Sequence, residues 1–431
     1  MELYVHIPFC VKKCNYCDFL SFPGYGCDAD ERHRSLSCDY VDALCREIEE
    51  ITEKFKDQVF DTCFIGGGTP SVLDVMKTGH LLTCIRNCVF PDICKNEDHI
   101  NNISNKPEFT IECNPGTLTR EKLLLYKEYG VNRLSFGLQS TDNGILKRLG
   151  RIHTYEEFLE SFRLARECGF SNINIDLISA VPGQTLDNWK DTLEKVAALS
   201  PEHISAYSLI LEEGTPLFND YEKDPKNLNL PDEDVEREIY HLTEKNLKEK
   251  GYGRYEISNY AKPGFECRHN IGYWTGEEYI GTGLGASSYL SPSNCGKILN
   301  KTFAASEMIR IKNTENLHIY LSGFLNKEIE KTCENTFESE KNIGTKVRNV
   351  EEILDVNSQM SEYCILGLRM CRGISKQEFN KRFGKDIYDI FGNIIRKHME
   401  EKLLEEKGDY IRCTQKGLDL NNTVLCDFLD A

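Results

Sequence analysis

The sequence predicts an α/β fold: a parallel sheet built from repeated strand–helix steps, followed by a small helical, winged-helix-like module. Three observations predict it. Short β-branched and aromatic runs alternate with longer segments of helical periodicity over residues 1–255. The intervals between those runs are long enough for the helical crossovers that parallel strands require. Residues 350–431 then change to three helical segments and a terminal hairpin.

The first strand is the apolar run Leu3 to Pro8, where Pro8 stops any helix and hands a strand over to a loop. Further strands are expected at Thr62–Ile65, Phe109–Glu112, Arg133–Leu138, Ile173–Ile178 and His203–Ser208. Helices are expected at Tyr40–Lys54, Glu121–Tyr129, Tyr155–Cys168, Leu186–Leu199 and Asp232–Glu249. A repeat of this kind gathers functional groups at the carboxyl ends of its strands. The polar stretches Gly24–Cys38 and Pro91–Lys106 read as surface insertions. Asn326–Asn349, rich in Glu, Lys, Asn and Thr, reads as a linker. Helices at Val350–Leu366, Lys376–Phe383 and Ile387–Lys402 and a hairpin at Asp409–Thr414 follow. The resulting division is 1–255 for the repeat, 256–325 for a connecting region, 326–349 for the linker and 350–431 for the C-terminal module.

A chain of 431 residues exceeds one ordinary core. Its net charge of −17 disfavours general attraction to nucleic acid or an anionic membrane. The C-terminal module lacks a dense basic recognition helix, which favours a packing or substrate-capping role over DNA binding. With no leader pattern and no apolar run near the roughly 18 residues of a membrane span, a cytoplasmic location is expected. In a reducing cytosol the 19 cysteines are expected as thiols or metal ligands.

Three of them carry the chemistry. Cys10, Cys14 and Cys17 sit in a loop straight after the first strand, with Tyr16 as an aromatic wall before the last. A cubane iron–sulfur cluster normally takes four thiolates, so three leave one iron open, much as a catalytic zinc site keeps one position for a reactant. Cys84 and Cys88, with Cys94 beyond them, read as ordinary thiols on a helix. Gly66-Gly67-Gly68-Thr69-Pro70 follows the second strand, where a backbone without side chains can approach a ligand closely. It lacks the Lys-Ser/Thr pair of a phosphate-binding P-loop, which excludes an ATPase reading.

Cys10, Cys14, Tyr16 and Cys17 together resemble the signature of the radical S-adenosylmethionine (SAM) family. The six strand–helix steps then match the partial (β/α)6 TIM-type barrel of that family. The resemblance implies a [4Fe–4S] cluster on the three cysteines, SAM on its open iron, and an electron donor such as a flavodoxin or ferredoxin. It assigns the glycine run, with Gly67, Gly68 and Thr69, to the amino group of SAM. Tyr4, Glu112, Gln139, Arg151 and Asp176 match, in order, SAM-contacting positions of the oxygen-independent coproporphyrinogen III oxidase family. Carboxylates suit the ribose hydroxyls and ammonium of SAM, and Arg151 suits its carboxylate.

The oxidases carry a fourth cysteine two residues after the third and a substantial segment before the first strand. Here Phe19 occupies that position and the sequence begins nine residues before Cys10. Both departures resemble instead the heme-chaperone branch of the same family. Cys267-Arg-His269-Asn270-Ile-Gly-Tyr273-Trp274 resembles the His-Asn-x-x-Tyr-Trp motif implicated there in heme binding. The implied roles are His269 as an axial ligand and Tyr273 and Trp274 as stacking partners. Gly281 to Ser287 is expected to be a turn near the same mouth. Met370–Ile374 and Phe379–Gly384 resemble the family's small C-terminal domain. The expected partners are therefore heme or a porphyrin and an acceptor protein, with membrane contact only through that acceptor. Oxidative decarboxylation of coproporphyrinogen III is the alternative, and it leaves open whether the chain is an enzyme.

Overall fold

The computed structural model describes residues 1–26, 29–91, 106–325 and 347–429. Six parallel strands form its centre: β1 (Glu2–Ile7), β2 (Thr62–Gly67), β3 (Glu108–Cys113), β4 (Arg133–Gln139), β5 (Ile173–Ser179) and β6 (His203–Ser208). Each is the expected strand, extended by up to two residues at its ends. Alternation decides the faces. Leu3, Val5 and Ile7 are fully buried against the surrounding helices, while Glu2, Tyr4 and His6 point into the barrel lumen with residues of the neighbouring strands.

The helices bury one apolar stripe each, and a side-chain cap opens most of them. Thr154 and Glu157, and Thr185 and Asn188, form reciprocal capping boxes at Tyr155–Glu167 and Leu186–Ala198. The first helix corrects an expectation. It runs over Glu31–Lys54 from an Asp30 cap, so most of the polar stretch Gly24–Cys38 is helix rather than an insertion. Its first turns are charged because they face solvent, which hides the apolar stripe that begins only at Tyr40. The expected insertion Pro91–Lys106 falls almost entirely outside the described residues.

The connecting region is part of the same sheet. β7 (Gly253–Arg254) and β8 (Asn259–Ala261) add antiparallel strands beyond β6; β9 (Tyr279–Thr282) pairs parallel with β1. β10 (Ser287–Leu290), β11 (Met308–Asn313) and β12 (Arg348–Leu354) continue antiparallel, giving this sheet twelve strands among the described residues. Gly283 and Gly285, at φ +96° and +67°, make the expected turn between β9 and β10. Residues 348–354 therefore correct both the linker and the helix expected from Val350. Arg348–Leu354 pairs antiparallel with β11, with a register shift at Arg310/Ile311, and Asp355 caps the helix that really begins at Val356. The linker's residues 326–346 lie outside the described residues.

The C-terminal module has its own core of Met360, Leu368, Phe379, Phe391, Ile395 and Phe428. Helices Val356–Gly367, Lys376–Phe383 and Ile387–Glu400 pack around a small sheet of β13 (Ile374–Ser375), β14 (Leu404–Lys407) and β15 (Tyr410–Cys413). The expected hairpin Asp409–Thr414 is only its second strand, since Gly408 at φ +63° makes the turn.

Candidate functional site

The cysteine loop leaves β1 at the carboxyl end of the barrel and is pinned on both sides. Cys10 N donates to Phe22 O at 2.9 Å, and Tyr25 N donates to Cys10 O at 3.0 Å. Asn15 donates from its backbone to Leu149 O and from its side chain to Arg148 O, both at 2.9 Å. Gly150 lies under that contact, where a Cβ would come within 2.7 Å of Asn15 Oδ1. Tyr16 packs beside Ile145, Leu149 and Leu217 and hydrogen-bonds Arg151. Phe19 is 60% exposed.

One chain of hydrogen bonds runs behind the thiols. Arg151 donates from Nη1 to Cys14 Sγ at 3.5 Å, and from Nη2 to Asn114 Oδ1 at 2.7 Å and Gly137 O at 2.6 Å. Asn114 donates from Nδ2 to Thr69 Oγ1 at 2.8 Å, and Thr69 Oγ1 lies 3.4 Å from Cys10 Sγ. Because Asn114 occupies one lone pair of Thr69, the hydroxyl is left to donate toward the sulfur. Burial raises the Cys10 thiol, partly offset by Thr69, and pushes Cys17 up to about 11. A thiolate here thus needs metal or donors to hold its charge. The guanidinium of Arg151 and the Thr69 hydroxyl are such donors, and Arg151 Nε is buried with no partner of its own. The three sulfurs do not converge as ligands of one ion would, which suits the separate corners of a polynuclear cluster.

The glycine run is also required by the packing of this chain's own groups. A Cβ on Gly66 would meet Phe64 Cε1 at 2.9 Å and the Glu112 carboxyl at 3.1 Å; on Gly67, at φ +113°, it would meet the His6 ring at 2.5 Å; on Gly68, Phe9 O at 2.9 Å and Cys10 Sγ at 3.1 Å. The bare backbone makes room for this chain's own His6, Glu112 and Cys10. His6 joins the Tyr4 hydroxyl at 3.0 Å through Nδ1 and Leu20 O at 2.9 Å through Nε2, tying the lumen to the cysteine loop. Burial holds its imidazole below the usual range.

Two carboxyls line the lumen below. Glu112 accepts from Gly67 N at 3.0 Å, and its pKa is raised to about 8, first by burial and then by the charge of Asp176. Asp176 accepts from Ser135 at 3.0 Å and Asn174 at 2.8 Å, with burial again raising it. Gln139 ends β4 at φ +73°, where the register to β5 shifts by a residue. A non-glycine residue in that conformation beside a bulge is the kind of strain that collects at functional sites. The mouth therefore brings together Tyr4, Cys10, Cys14, Tyr16, Cys17, Gly67, Gly68, Thr69, Glu112, Gln139, Arg151 and Asp176.

His269, Tyr273 and Trp274 lie at the opposite end. Their helix, Arg268–Thr275, plugs the amino end of the barrel, its start held by Glu108 of β3, which accepts from Arg268 N at 3.0 Å and His269 N at 3.2 Å. His269 is 1% exposed; Nδ1 pairs with Thr62 Oγ1 at 2.7 Å and Nε2 with Tyr273 OH at 3.0 Å, and the ring stacks on Phe64. Its pKa is lowered to about 3, chiefly by burial. As folded, both ring nitrogens of His269 are engaged, Nδ1 by Thr62 and Nε2 by Tyr273. The turn at Gly281 to Ser287, expected beside this motif, lies instead at the cysteine-loop end, where Gly285 approaches Leu20. The C-terminal module covers the far side of the plug. Arg369 lies 4.6 Å over the Trp274 ring and Arg382 donates to Gly276 O at 3.0 Å. It packs on the motif and does not cap the mouth.

Sequence reasoning missed His6 and Asn114. Both sit at lumen-facing positions, His6 two residues after Tyr4 and Asn114 two after Glu112, so strand periodicity extended through the strand ends is the signal that reaches them.

Family models match twice: the radical SAM superfamily over residues 4–196 and the HemN C-terminal domain over residues 354–420. The chain is 35% identical to the heme chaperone HemW of Lactococcus lactis, across 99% of this chain and 96% of that protein. It is 32% identical to HemW of Bacillus subtilis, across 99% and 98%, and 31% identical to HemW of Escherichia coli, across 100% and 98%. Among solved structures, the coproporphyrinogen III oxidase HemN of Escherichia coli superposes with a TM-score of 0.73 at 20% identity, covering 99% of this chain and 89% of that one. That last likeness concerns the fold.

Proposed function

The chain belongs to the HemW family of radical SAM proteins, and from that premise we propose that it binds heme at the barrel mouth and passes it to an acceptor protein in the cytoplasm. A [4Fe–4S] cluster and SAM are the cofactors that the radical SAM domain carries. When bound, the cluster supplies one low-potential electron to the SAM sulfonium, drawn from a flavodoxin- or ferredoxin-type donor. In this reading Cys10, Cys14 and Cys17 hold the cluster, Arg151 and Thr69 offset thiolate charge, and Glu112, Asp176 and Gln139 line the floor on which SAM rests. Among the described residues no helix is long and apolar enough to cross a membrane.

The observation that carries heme binding at the mouth is its apolar rim. Val11, Phe19, Ile152 and Ile210 are 37%, 60%, 56% and 68% exposed. All four sit on segments that follow the carboxyl ends of parallel strands, so they share the end that holds the cysteines. Exposed apolar side chains at one end of the barrel support binding of an apolar ligand there. The His269 motif offers heme no such surface while Thr62 and Tyr273 hold the ring.

Heme titration of the anaerobically reconstituted protein separates the two places. Phe19→Asp combined with Ile210→Asp is expected to weaken heme binding at least tenfold, and His269→Ala to leave it within about twofold. The reverse pattern would place heme on the motif helix. The oxidase alternative is tested with SAM, reductant and coproporphyrinogen III: protoporphyrinogen formed over many turnovers would sink the carrier reading.

A further inference from the structure

Away from the mouth, the helices Glu31–Lys54 and Val75–Cys88 pack against each other and bring four ligand-type side chains together. Cys45 and Glu49 lie one turn apart on the first helix, and Cys84 and Cys88 one turn apart on the second, so each pair shares a face. The carboxylate of Glu49 and the sulfurs of Cys84 and Cys88 lie within 4.8 Å of one another. Cys84 donates to Cys45 O at 3.5 Å, and the two thiols are themselves in contact. Among the described residues Glu49, Cys84 and Cys88 are the one group of metal-ligating side chains so tightly convergent, with Cys45 beside them.

We propose that Glu49, Cys84 and Cys88, with Cys45 as fourth donor, bind a single divalent ion of the zinc class that staples the two helices. The donor set selects the ion. Thiolates with one carboxylate favour a borderline-soft cation over magnesium or calcium, and four side-chain donors from rigid elements suit the closed tetrahedral site of structural zinc. Ligand atoms within 4.8 Å of one another are close enough to share one ion with sulfur–metal bonds of about 2.3 Å.

Uptake conserves charge by releasing one proton from each thiol that becomes a ligand. Because each thiol must lose its proton to become a ligand, the site binds more weakly as pH falls. The staple stiffens the helix that backs the mouth, since Tyr40 on the same helix donates to His6 O at 2.8 Å.

The test uses protein whose [4Fe–4S] cluster is already assembled, so that Cys10, Cys14 and Cys17 are occupied. Zinc is added anaerobically, the protein is desalted, and iron and zinc are counted. One zinc per chain is expected above the iron complement, with a rise in Tm. Cys84→Ser with Cys88→Ser is expected to lose both. Glu49→Gln changes an exposed residue and cannot disturb the core; it is expected to weaken zinc at least tenfold in a chelator competition, with metal-free Tm unchanged. Zinc retained equally by these variants, no zinc retained by the parent chain, or loss of two thiols to a disulfide without metal uptake each overturns the proposal.

Discussion

Arg151 serves three acceptors at once: Cys14 Sγ, Asn114 Oδ1 and Gly137 O. Arg151→Lys keeps the charge but loses the planar fork that reaches strand and loop together. It is expected to weaken SAM binding at least tenfold while the protein stays folded, read by anaerobic equilibrium binding against circular dichroism. Unchanged affinity in the Lys variant would remove the fork from the site. Glu112 gives a pH signature. Its pKa of about 8 keeps it protonated near neutrality, and a bound ammonium favours the ionised form. SAM affinity is therefore expected to rise with pH up to about 8 and then level, and to lose that slope in Glu112→Gln. The sign for folding is opposite. A carboxyl raised in the folded state contributes stability in full below its unfolded value near 4.5 and loses it as pH rises through about 8. Ligand-free Glu112→Gln is thus expected to gain in Tm on the parent progressively between about pH 4.5 and 8 and to keep that lead above it.

The motif helix is decided by packing at close range. Gly272 faces β1 so tightly that a Cβ there would overlap the carboxyl of Glu2. Burial and the neighbouring Glu108 raise Glu2 to about 9, so it stands protonated beside the neutral His269. Gly272→Ala is expected to destabilise by about 1–3 kcal/mol through overpacking, despite the better helix propensity of alanine. A denaturant midpoint that stays put or rises would show that the helix does not seat against the strand. Strand β12 teaches the converse. Its apolar residues Val350, Ile353 and Leu354 also fit a helical stripe, and short apolar runs cannot be assigned by period alone. Pairing with β11 settles it, with Arg310 of β11 held by Glu352 of β12 and by Glu362 beyond it.

Across the whole molecule the two ends of the barrel carry separate loads. The mouth holds the cysteines, the polar floor and the apolar rim; the amino end is closed by the motif helix and the C-terminal module. Arg382→Ala removes the donor to Thr275 O and Gly276 O. It is expected to cost about 1 kcal/mol and to speed hydrogen exchange in residues 268–276, with cluster content and SAM affinity unchanged. A fall in SAM affinity would couple the ends and end the division of labour.

The order of the six parallel strands, the cysteine loop and the lumen-facing Tyr4, Glu112 and Asp176 were legible in the residues themselves. The strands and the cysteine loop rest on local spacing: period-two alternation, turn residues, and ligands close together in the chain. Tyr4, Glu112 and Asp176 rest on the family resemblance. What the tertiary structure alone decided is which end of the barrel each motif reaches. The glycine run makes room for His6 and Cys10 at the carboxyl end, and the His269 motif is buried at the amino end. Contacts between residues far apart in the chain, such as Thr62 with His269 or Arg151 with Cys14, leave no periodic trace. They exist only once the sheet has brought the strand ends together.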